Sequence, residues 1–381
     1  MRFIQLLTLI LIVNQSLFAQ YYQGIICDSI TKKPLQNVEL FTNTENTLTN
    51  ENGLFEIKTN QKYVFVKTVF MDAPKVFDMK HFKPKDTLYL SPHIQLNEVV
   101  VTAQIPILKN VVKNLSKNYN TSTSYKTQMF THSNLLVNGK PQLFLELVSE
   151  NVLNFEIGDE DSKGFFGKSL KTKINILGLR KTVANKTATP YKNSLYTRNI
   201  VDWGIDPLNF LEKGTTKIEE FDSYYVLHYE YTRGFTQFSG WFSVNKKDYA
   251  IIENYEKKDV LLPEKSLLNY SIPKTEISHI FYDKKEGFPY YTRKLLLVHQ
   301  KFLAQNKVTN AIDEVELNFK MYNYQPTFKD LNLLKPINNT YQKYVYEVEY
   351  PYQEDFWKNY NVPTSSFTSS ELYQELKGLK D

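Results

Sequence analysis

The six histidines of the chain are the first residues to test for chemistry, because imidazole can bind a metal or act as a general base. One common zinc peptidase site needs a His and a Glu three residues apart, a distant second His, and an open position on the metal. The histidines are His81, His93, His132, His228, His279 and His299. None has a Glu three residues after it. The sequence therefore does not indicate this zinc chemistry.

Other catalytic signatures are also missing from the sequence. It contains no HExxH, no GxSxG and no phosphate-binding glycine loop. We therefore expect no enzyme activity, no catalytic residue, no metal site and no cofactor.

A long basic stretch is the second candidate for function. Residues 162–199 contain nine Lys and Arg residues and no Asp or Glu, interspersed with aromatic and aliphatic residues. An amphipathic basic lid can meet anionic head groups while its apolar side covers a sheet. The alternative is a solvated positive loop without a ligand. The candidate ligand-binding residues are Lys168, Lys171, Lys173, Arg180, Phe165, Phe166 and Trp241.

The N-terminus predicts export. Arg2 precedes the mainly apolar run 3–13, and Ala19 offers a small residue for signal peptidase. This run is too short to span a bilayer, so 1–19 is interpreted as a signal peptide. We expect a mature chain from Gln20 without a transmembrane segment, in the periplasm or at the periplasmic face of the outer membrane.

The amino-acid composition limits the partners, the cross-links and the fold class that the chain can have. The formal charge of +5 is too small to indicate a nucleic-acid partner, and the single cysteine excludes an internal disulfide framework. The 27 Tyr and 25 Phe against only 13 Gly favour a β-rich fold. The length of 381 residues suggests two domains.

The first predicted domain, 20–103, consists of short strands separated by turns, which favours a small antiparallel sandwich. Its pattern of glycine, turn and strand residues consists of Gly24, Ile26, Asp28, Thr31, Pro34, Leu35, Val38, Asn52, Gly53, Phe55, Ile57, Leu96, Glu98 and the valines 99–101. In these residues the domain resembles the carboxypeptidase regulatory-like family of transthyretin-like, seven-stranded sandwiches. The resemblance implies an accessory domain that is not catalytic.

The stretch "NEVVVTAQ" at 97–104 is similar to a segment that precedes the plug of TonB-dependent receptors. A 22-stranded barrel needs roughly 220 residues before turns, which the remaining chain cannot supply beside a plug. An amphipathic helix is predicted instead within 104–124. A smaller membrane barrel is disfavoured because the later strands carry polar groups at both alternating positions.

The second predicted domain, 125–350, reads as successive long hairpins after this helix, with a strong turn signal at Asn138-Gly139. Three stretches are informative: "VVKNLSKNYN", "SGWFSVNKKDYAI" and "DFWKNYN", and in the second of them Gly240, Trp241, Val244, Tyr249, Ala250 and Ile251. In these stretches the domain resembles the LolA/LolB-like half-barrels of lipoprotein carriers. The basic stretch lies in a predicted insertion, 158–214, and 351–381 is interpreted as a C-terminal tail.

These observations predict a mainly β protein: a seven-stranded β-sandwich followed by a half-open antiparallel β-barrel with a few helices. The first functional hypothesis is a non-catalytic binding or carrier protein for a lipid or other amphiphile. The alternative is a structural module that docks on an outer-membrane protein complex, because receptors share "NEVVVTAQ" and sheet edges can accept a partner strand.

Overall fold

The computed structural model describes residues 20–71, 73–83, 85–91, 104–119, 125–157, 168–183, 215–270, 272–306, 309–327, 329 and 350–361. The described chain forms two compact units: one contains 20–91 and 354–361, and the other contains 104–353. The predicted signal peptide 1–19 and most of "NEVVVTAQ" lie outside the described residues. None of the described helices has the length and apolar character needed to cross a bilayer.

The first unit is built from seven strands in two sheets, as the fold-class prediction states. The strands are β1 (Gln20–Asp28), β2 (Glu39–Phe41), β3 (Asn46–Leu48), β4 (Leu54–Thr59), β5 (Tyr63–Lys67), β6 (Lys75–Asp78) and β7 (Asp86–Leu90). One sheet has the order β4-β1-β7 and the other β3-β2-β5-β6. Ile26 and Phe55 of the first sheet share a buried core with Leu40 and Val66 of the second. The predicted antiparallel pairing holds for four of the five strand pairs of this unit, and the exception is β1 with β7, which pair in parallel.

The segment 354–361 belongs to this first unit, although the sequence placed it in a tail. It begins with a short helix, here α3 (Glu354–Asn359). Beyond the helix, the Asn361 side chain accepts a hydrogen bond from the Lys58 amide at 2.7 Å and donates one to the Lys58 carbonyl at 3.1 Å. Lys58 lies on the edge strand β4, so its backbone groups have no neighbouring strand on that side. The side-chain amide of Asn361 provides the two hydrogen bonds that such a strand would make.

The second unit contains one ten-stranded antiparallel sheet. Its strands are β8 (Tyr125–Val137), β9 (Lys140–Ile157), β10 (Lys168–Val183), β11 (Thr215–Glu220), β12 (Tyr224–Arg233), β13 (Thr236–Asn245), β14 (Ile251–Val260), β15 (Thr275–Lys284), β16 (Tyr291–Gln305) and β17 (Ile312–Thr327). The order is β10-β9-β8-β17-β16-β15-β14-β13-β12-β11, so the sheet is open between β10 and β11. The open antiparallel sheet that the sequence predicted is therefore present.

Local turn chemistry explains why the chain reverses between these strands. Asn138 and Gly139 have φ of 49° and 74°, the left-handed pair that a two-residue hairpin turn requires. Similar reversals join β11 to β12, β13 to β14 and β15 to β16. A short helix, α2 (Glu264–Tyr270), lies between β14 and β15.

The structure corrects the interpretation of 158–214 as an insertion between strands, because part of this range belongs to the sheet. Within it, Lys168–Val183 forms β10 and pairs with β9 along its whole length. A β-bulge between Ile176 and Gly178 shifts the alternation, so Ile176 and Leu179 are buried in the same cluster although they are three residues apart. This shift hides the strand pattern from a sequence reading. Residues 158–167 and 184–214 lie outside the described residues.

The predicted amphipathic helix is present as α1 (Gln104–Asn118) and packs on one face of the ten-stranded sheet. Its residues Ile107, Leu108 and Val111 share a core with side chains of β11 to β15, among them Phe242 and Ile280. We call this side of the sheet the helix-covered face. Residues that pair across antiparallel strands point to the same side, so the strand register assigns the remaining residues to one face or the other.

Tyr119, directly after α1, fastens the end of the helix to the sheet. Its hydroxyl donates a hydrogen bond to the Ile251 carbonyl at 2.5 Å, and its ring meets the Tyr282 ring edge-on at 5.6 Å. Burial, followed by the proximity of Tyr282, raises the pKa of the Tyr119 hydroxyl well above its usual range. The folded protein therefore holds this proton more tightly than the unfolded chain does.

We expect Tyr119→Phe to lower the free energy of unfolding by about 1 kcal/mol at neutral pH, because a buried hydrogen bond is lost. The stabilisation from a raised pKa is complete below about pH 10 and is lost as the pH rises further. The variant should therefore lose less stability than the wild type above pH 10. Urea denaturation at several pH values measures both effects, with exposed Tyr352→Phe as the control. If the free energy of unfolding of Tyr119→Phe and of the wild type changed with pH in parallel above pH 10, the raised pKa of the Tyr119 hydroxyl would be contradicted.

Candidate functional site

The register of the sheet creates a row of side chains on the helix-covered face that changes from charged to aliphatic. Successive cross-strand pairs connect the members of this row from β14 to β9. In order they are Lys258, Glu276, Gln300, Leu317, Leu135 and Leu143. Neighbouring strands lie about 4.8 Å apart, so the row extends over roughly 24 Å of the sheet. One face thus offers a polar end and an apolar end.

The polar end is an ion cluster formed by Glu256, Lys258 and Glu276. The Lys258 ammonium lies 3.1 Å from a Glu256 carboxylate oxygen and 2.8 Å from one of Glu276. Gln300 donates a hydrogen bond to Glu276, and the Tyr229 hydroxyl lies 3.4 Å from Glu256 Oε2. The three charged side chains are only 10–19% exposed.

The protonation of this cluster follows from its surroundings. Burial acts to lower the pKa of Lys258, but the carboxylates of Glu256 and Glu276 outweigh it, so the pKa is raised and the ammonium stays charged. Burial, and then the charge of Glu256, raises the pKa of the Tyr229 hydroxyl. Tyr229 therefore keeps its proton and can act as a donor.

The apolar end is an aliphatic cluster on β8, β9, β10 and β17. Its buried members are Leu135, Leu143, Leu145, Leu147, Ile176, Leu179, Val315 and Leu317. Tyr350 packs against the cluster, and its hydroxyl lies 3.2 Å from the Ile176 carbonyl and 3.3 Å from that of Leu177. Met129 and Met321 form a separate buried pair that packs with Leu296, which also packs against the core under α1.

The opposite face carries a Ser, a Glu and a His that resemble a hydrolase triad only in composition. Ser243 donates to one Glu253 carboxylate oxygen at 2.5 Å, and His279 Nε2 lies 2.7 Å from the other. In a serine hydrolase the imidazole stands between the hydroxyl and the acid, so that it can take the proton of the nucleophile. Here the carboxylate stands in the middle, and the arrangement does not activate Ser243.

The described residues also offer no metal site. No group of three His, Cys, Asp or Glu side chains among them is arranged to hold a metal ion.

The sequence-predicted site residues do not meet at one place in the described structure. Arg180 and Trp241 lie on the face opposite α1, on β10 and β13, with six strands between them. Arg180 forms an ion pair with buried Glu146, and Trp241 stacks on Tyr255 at 4.0 Å.

The other predicted site residues are only partly described. Lys168, Lys171 and Lys173 are on β10, but the description does not include their side chains. Phe165 and Phe166 lie outside the described residues. A ligand-binding role for these five residues stays a prediction.

Sequence reasoning missed the ion cluster. A usable signal was present in β14, where charged residues occupy both alternating positions: Glu253 and Lys257 on one side, Glu256 and Lys258 on the other. A strand with one apolar and one solvated face would keep its charges on a single side. Charges on both sides of a central strand therefore indicate a polar site on the covered face.

Comparison with known proteins leaves the family of the chain open. No family model matches the sequence, and no curated protein matches it. Among solved structures, the chain is similar to a LolA superfamily protein from Nitrosomonas europaea, with 11% identity over 62% of this chain and 98% of that chain and a TM-score of 0.22. It is also similar to lipovitellin, with 8% identity over 55% of this chain and 26% of that chain and a TM-score of 0.21. These TM-scores are too low for either similarity to establish a shared fold, so the family resemblances stay predictions.

Proposed function

We propose that the second unit is a non-catalytic binding or carrier protein for an amphiphile. The observation that supports this function is the row on the helix-covered face, which passes from Lys258 and Glu276 to Leu135 and Leu143. A hydrocarbon chain would lie along the aliphatic cluster, and a polar group would reach the ion cluster. Export to the periplasm or to the periplasmic face of the outer membrane is part of the proposal, and rests on the predicted signal peptide.

A purely structural role explains the ion cluster poorly. Removing charges from water costs several kcal/mol per ion, and a buried ion pair usually stabilises a fold no better than apolar residues of the same volume. Lys258, Glu256 and Glu276 occupy a face whose other members include Phe242, Ile280 and Leu317. Charges retained in such surroundings are a recognised feature of binding sites.

The proposal predicts chain binding by the delipidated protein. Mature protein should bind the neutral fluorescent probe N-phenyl-1-naphthylamine, and dodecanol should displace it with a Kd in the micromolar range, about 8 kcal/mol of binding free energy. Leu317→Asn places an amide in the middle of the row. It should reduce the affinity for the probe and for dodecanol at least roughly tenfold, since a loss of about 1.4 kcal/mol of apolar contact accounts for that factor.

The matched control is Phe235→Ser, which removes an apolar side chain that is 67% exposed at the β12–β13 turn. Thermal denaturation of each variant confirms that it is folded under the binding conditions. Native mass spectrometry of protein purified without delipidation provides a second readout, the mass of a ligand that copurifies. Absence of probe binding, of dodecanol binding and of a copurifying ligand would together overturn the proposed function.

A further inference from the structure

One end of the ten-stranded sheet carries exposed apolar side chains at its turns. Successive antiparallel strands run in opposite directions, so the ends of β12, β14 and β16 and the starts of β13, β15 and β17 lie at this end. Five large apolar side chains are exposed among the described residues of the second unit, and three of them are here: Phe235 (67% exposed), Leu261 (60%) and Ile312 (50%). Apolar residues exposed singly are normal, whereas a group at one place marks a site of interaction.

Phe235 and Leu261 are neighbours, and we call them together the apolar tip. The β12–β13 turn contains only two residues, the second of which is Phe235, because Arg233 pairs with Thr236. The Leu261 amide donates a hydrogen bond to the Phe235 carbonyl at 2.7 Å, one step beyond the pair of Thr236 with Val260. The backbone of two adjacent strands therefore holds both exposed side chains at the same place.

Basic side chains border the apolar tip. Lys265 on α2 and Lys274 before β15 are exposed, and the Lys274 carbonyl accepts a hydrogen bond at 2.9 Å from the amide of the residue before Leu261. Arg233, which precedes the turn, is also exposed, and the exposed acidic residue in this segment is Glu264. The exposed charges around the apolar tip are therefore mainly positive.

Other acidic side chains near this end do not reverse that balance at the surface. Asp259 forms an ion pair with Lys257 at 2.6 Å. The carboxylates of the ion cluster lie on the helix-covered face and are only 10–19% exposed. At the neighbouring turns, exposed Glu314 is matched by exposed Lys140. A partner that touches the apolar tip therefore meets apolar surface with a positive border.

We propose that the apolar tip docks the protein on an anionic lipid membrane. Phe235 and Leu261 enter the boundary between headgroups and acyl chains, and Lys265 and Lys274 face the phosphate groups, as in other proteins that lie on a membrane surface. Ile312 lies three strands from Leu261, roughly 14 Å away across the sheet, and a flat lipid surface can receive turns this far apart. The inference goes beyond the proposed function, because it concerns the end of the sheet and not the helix-covered face.

The aliphatic cluster lies towards the same end of the sheet. Val137 and Ala304 pack against the cluster, and they are the last residue of β8 and the second-last residue of β16. Docking through the apolar tip would therefore bring the apolar part of the helix-covered face close to the lipid surface, where an amphiphile enters or leaves a bilayer.

Cosedimentation of the mature protein with vesicles measures docking. A two-to-one mixture of phosphatidylcholine and phosphatidylglycerol should bind the protein at least about tenfold more tightly at low salt than phosphatidylcholine alone, since each lysine near an anionic surface contributes roughly fivefold. Added salt should weaken the binding, because it shortens electrostatic screening to about 8 Å at physiological ionic strength. Absence of binding to the mixed vesicles, or equal binding to both compositions, would overturn the inference.

Two double variants separate the apolar and the charged contributions. Phe235→Ser with Leu261→Ser should reduce the affinity for mixed vesicles at least roughly tenfold, because two large apolar side chains no longer leave water. Lys265→Gln with Lys274→Gln should reduce it about tenfold at low salt and by less at high salt. Unchanged affinity in either double variant would contradict docking through the apolar tip.

Matched controls remove similar groups elsewhere in the same unit. Val112→Ser with Tyr352→Ser changes two apolar side chains that are 51% and 53% exposed, and Lys113→Gln with Lys117→Gln removes two exposed charges of α1. Both should bind mixed vesicles as the wild type does, and losses equal to those of the apolar-tip variants would overturn the inference.

Chain binding in the absence of vesicles is a separate readout. Every variant should still bind N-phenyl-1-naphthylamine and dodecanol as the wild type does, which also shows that it is folded. Failure of the wild type to bind either compound overturns the proposed function and leaves vesicle docking as a separate result.

A fluorophore at the apolar tip locates the contact directly. Cys27 is buried, so a nitrobenzoxadiazole label is directed to the new thiol of Phe235→Cys. Its emission should shift to the blue on addition of mixed vesicles, whereas the same label at Tyr352→Cys should not respond. Equal shifts at both positions would overturn the inference. So would a dimer in solution that does not bind vesicles and that Phe235→Ser with Leu261→Ser dissociates, because the apolar tip would then join two copies of the chain.

Discussion

Replacing Arg180 with alanine should lower the free energy of unfolding by about 3–5 kcal/mol, because it leaves a carboxylate buried without its guanidinium. Glu146 is fully buried on β9, Arg180 contacts it from the edge strand β10, and His132 Nδ1 lies 3.2 Å from it on β8. Together these three side chains connect β10, β9 and β8 at this end of the sheet.

The double variant Glu146→Leu with Arg180→Leu is the informative control. Exchanging a buried ion pair for apolar side chains of similar volume is often neutral, so the double variant should be more stable than Arg180→Ala. Urea denaturation at neutral pH measures all three proteins. A loss of less than about 1 kcal/mol in Arg180→Ala would show that solvent compensates the charge of Glu146, as at an exposed ion pair.

This prediction bears on the ligand-binding role that the sequence suggested for Arg180. Its charge is paired with Glu146 on the face opposite the aliphatic cluster. Weaker ligand binding by an Arg180 variant would therefore be evidence of a contact only if the variant keeps the stability of the wild type.

Gly240→Ala should destabilise the second unit by about 3 kcal/mol or prevent folding, since overpacking against backbone cannot be relieved by rotating a side chain. A Cβ atom at Gly240 would lie 2.0 Å from the Tyr255 carbonyl oxygen and 2.8 Å from the Tyr229 hydroxyl. Gly240 pairs with Tyr229 across β12 and β13, so the missing side chain leaves room for the ring. Through this space the Tyr229 hydroxyl reaches Glu256 of the ion cluster.

Ser239→Ala, the neighbouring position on the opposite face, is the control and should change stability by less than about 0.5 kcal/mol. Chemical denaturation of both variants gives the comparison. Gly240→Ala in a Tyr229→Phe background adds a second test. Tyr229→Phe removes the clash between the new Cβ and the Tyr229 hydroxyl, but the clash between that Cβ and the Tyr255 carbonyl oxygen remains. Recovery of stability in Tyr229→Phe with Gly240→Ala would contradict the view that the backbone contact is the limiting one.

Features that depend on a few neighbouring residues could be predicted from the sequence. The Asn138-Gly139 hairpin, the helix Gln104–Asn118 and the order of short strands followed by long hairpins all follow from turn chemistry and from periodicity of two or 3.6 residues. These signals are local because they reflect backbone torsion preferences and the side of one element that becomes buried. They were sufficient for a β-sandwich followed by an open antiparallel sheet.

The composition of each face was decided only by tertiary pairing. The sheet joins β8 to β17, which are separated in the chain by almost the whole domain, and it places β10 and β11 at opposite edges although they are consecutive. A slip of one residue exchanges the two faces of a strand, and the bulges at Ile176/Gly178 and Ser243/Val244 produce such a change within a strand.

For the same reason, the partners of individual polar residues could not be derived from their spacing. Lys258 meets Glu276 across a loop and a short helix, and Arg180 meets Glu146 across a long connection. Many pairings of such groups are compatible with one sequence. Only the register of the folded sheet selects the pairs that form, because it determines which side chains share a face and a row.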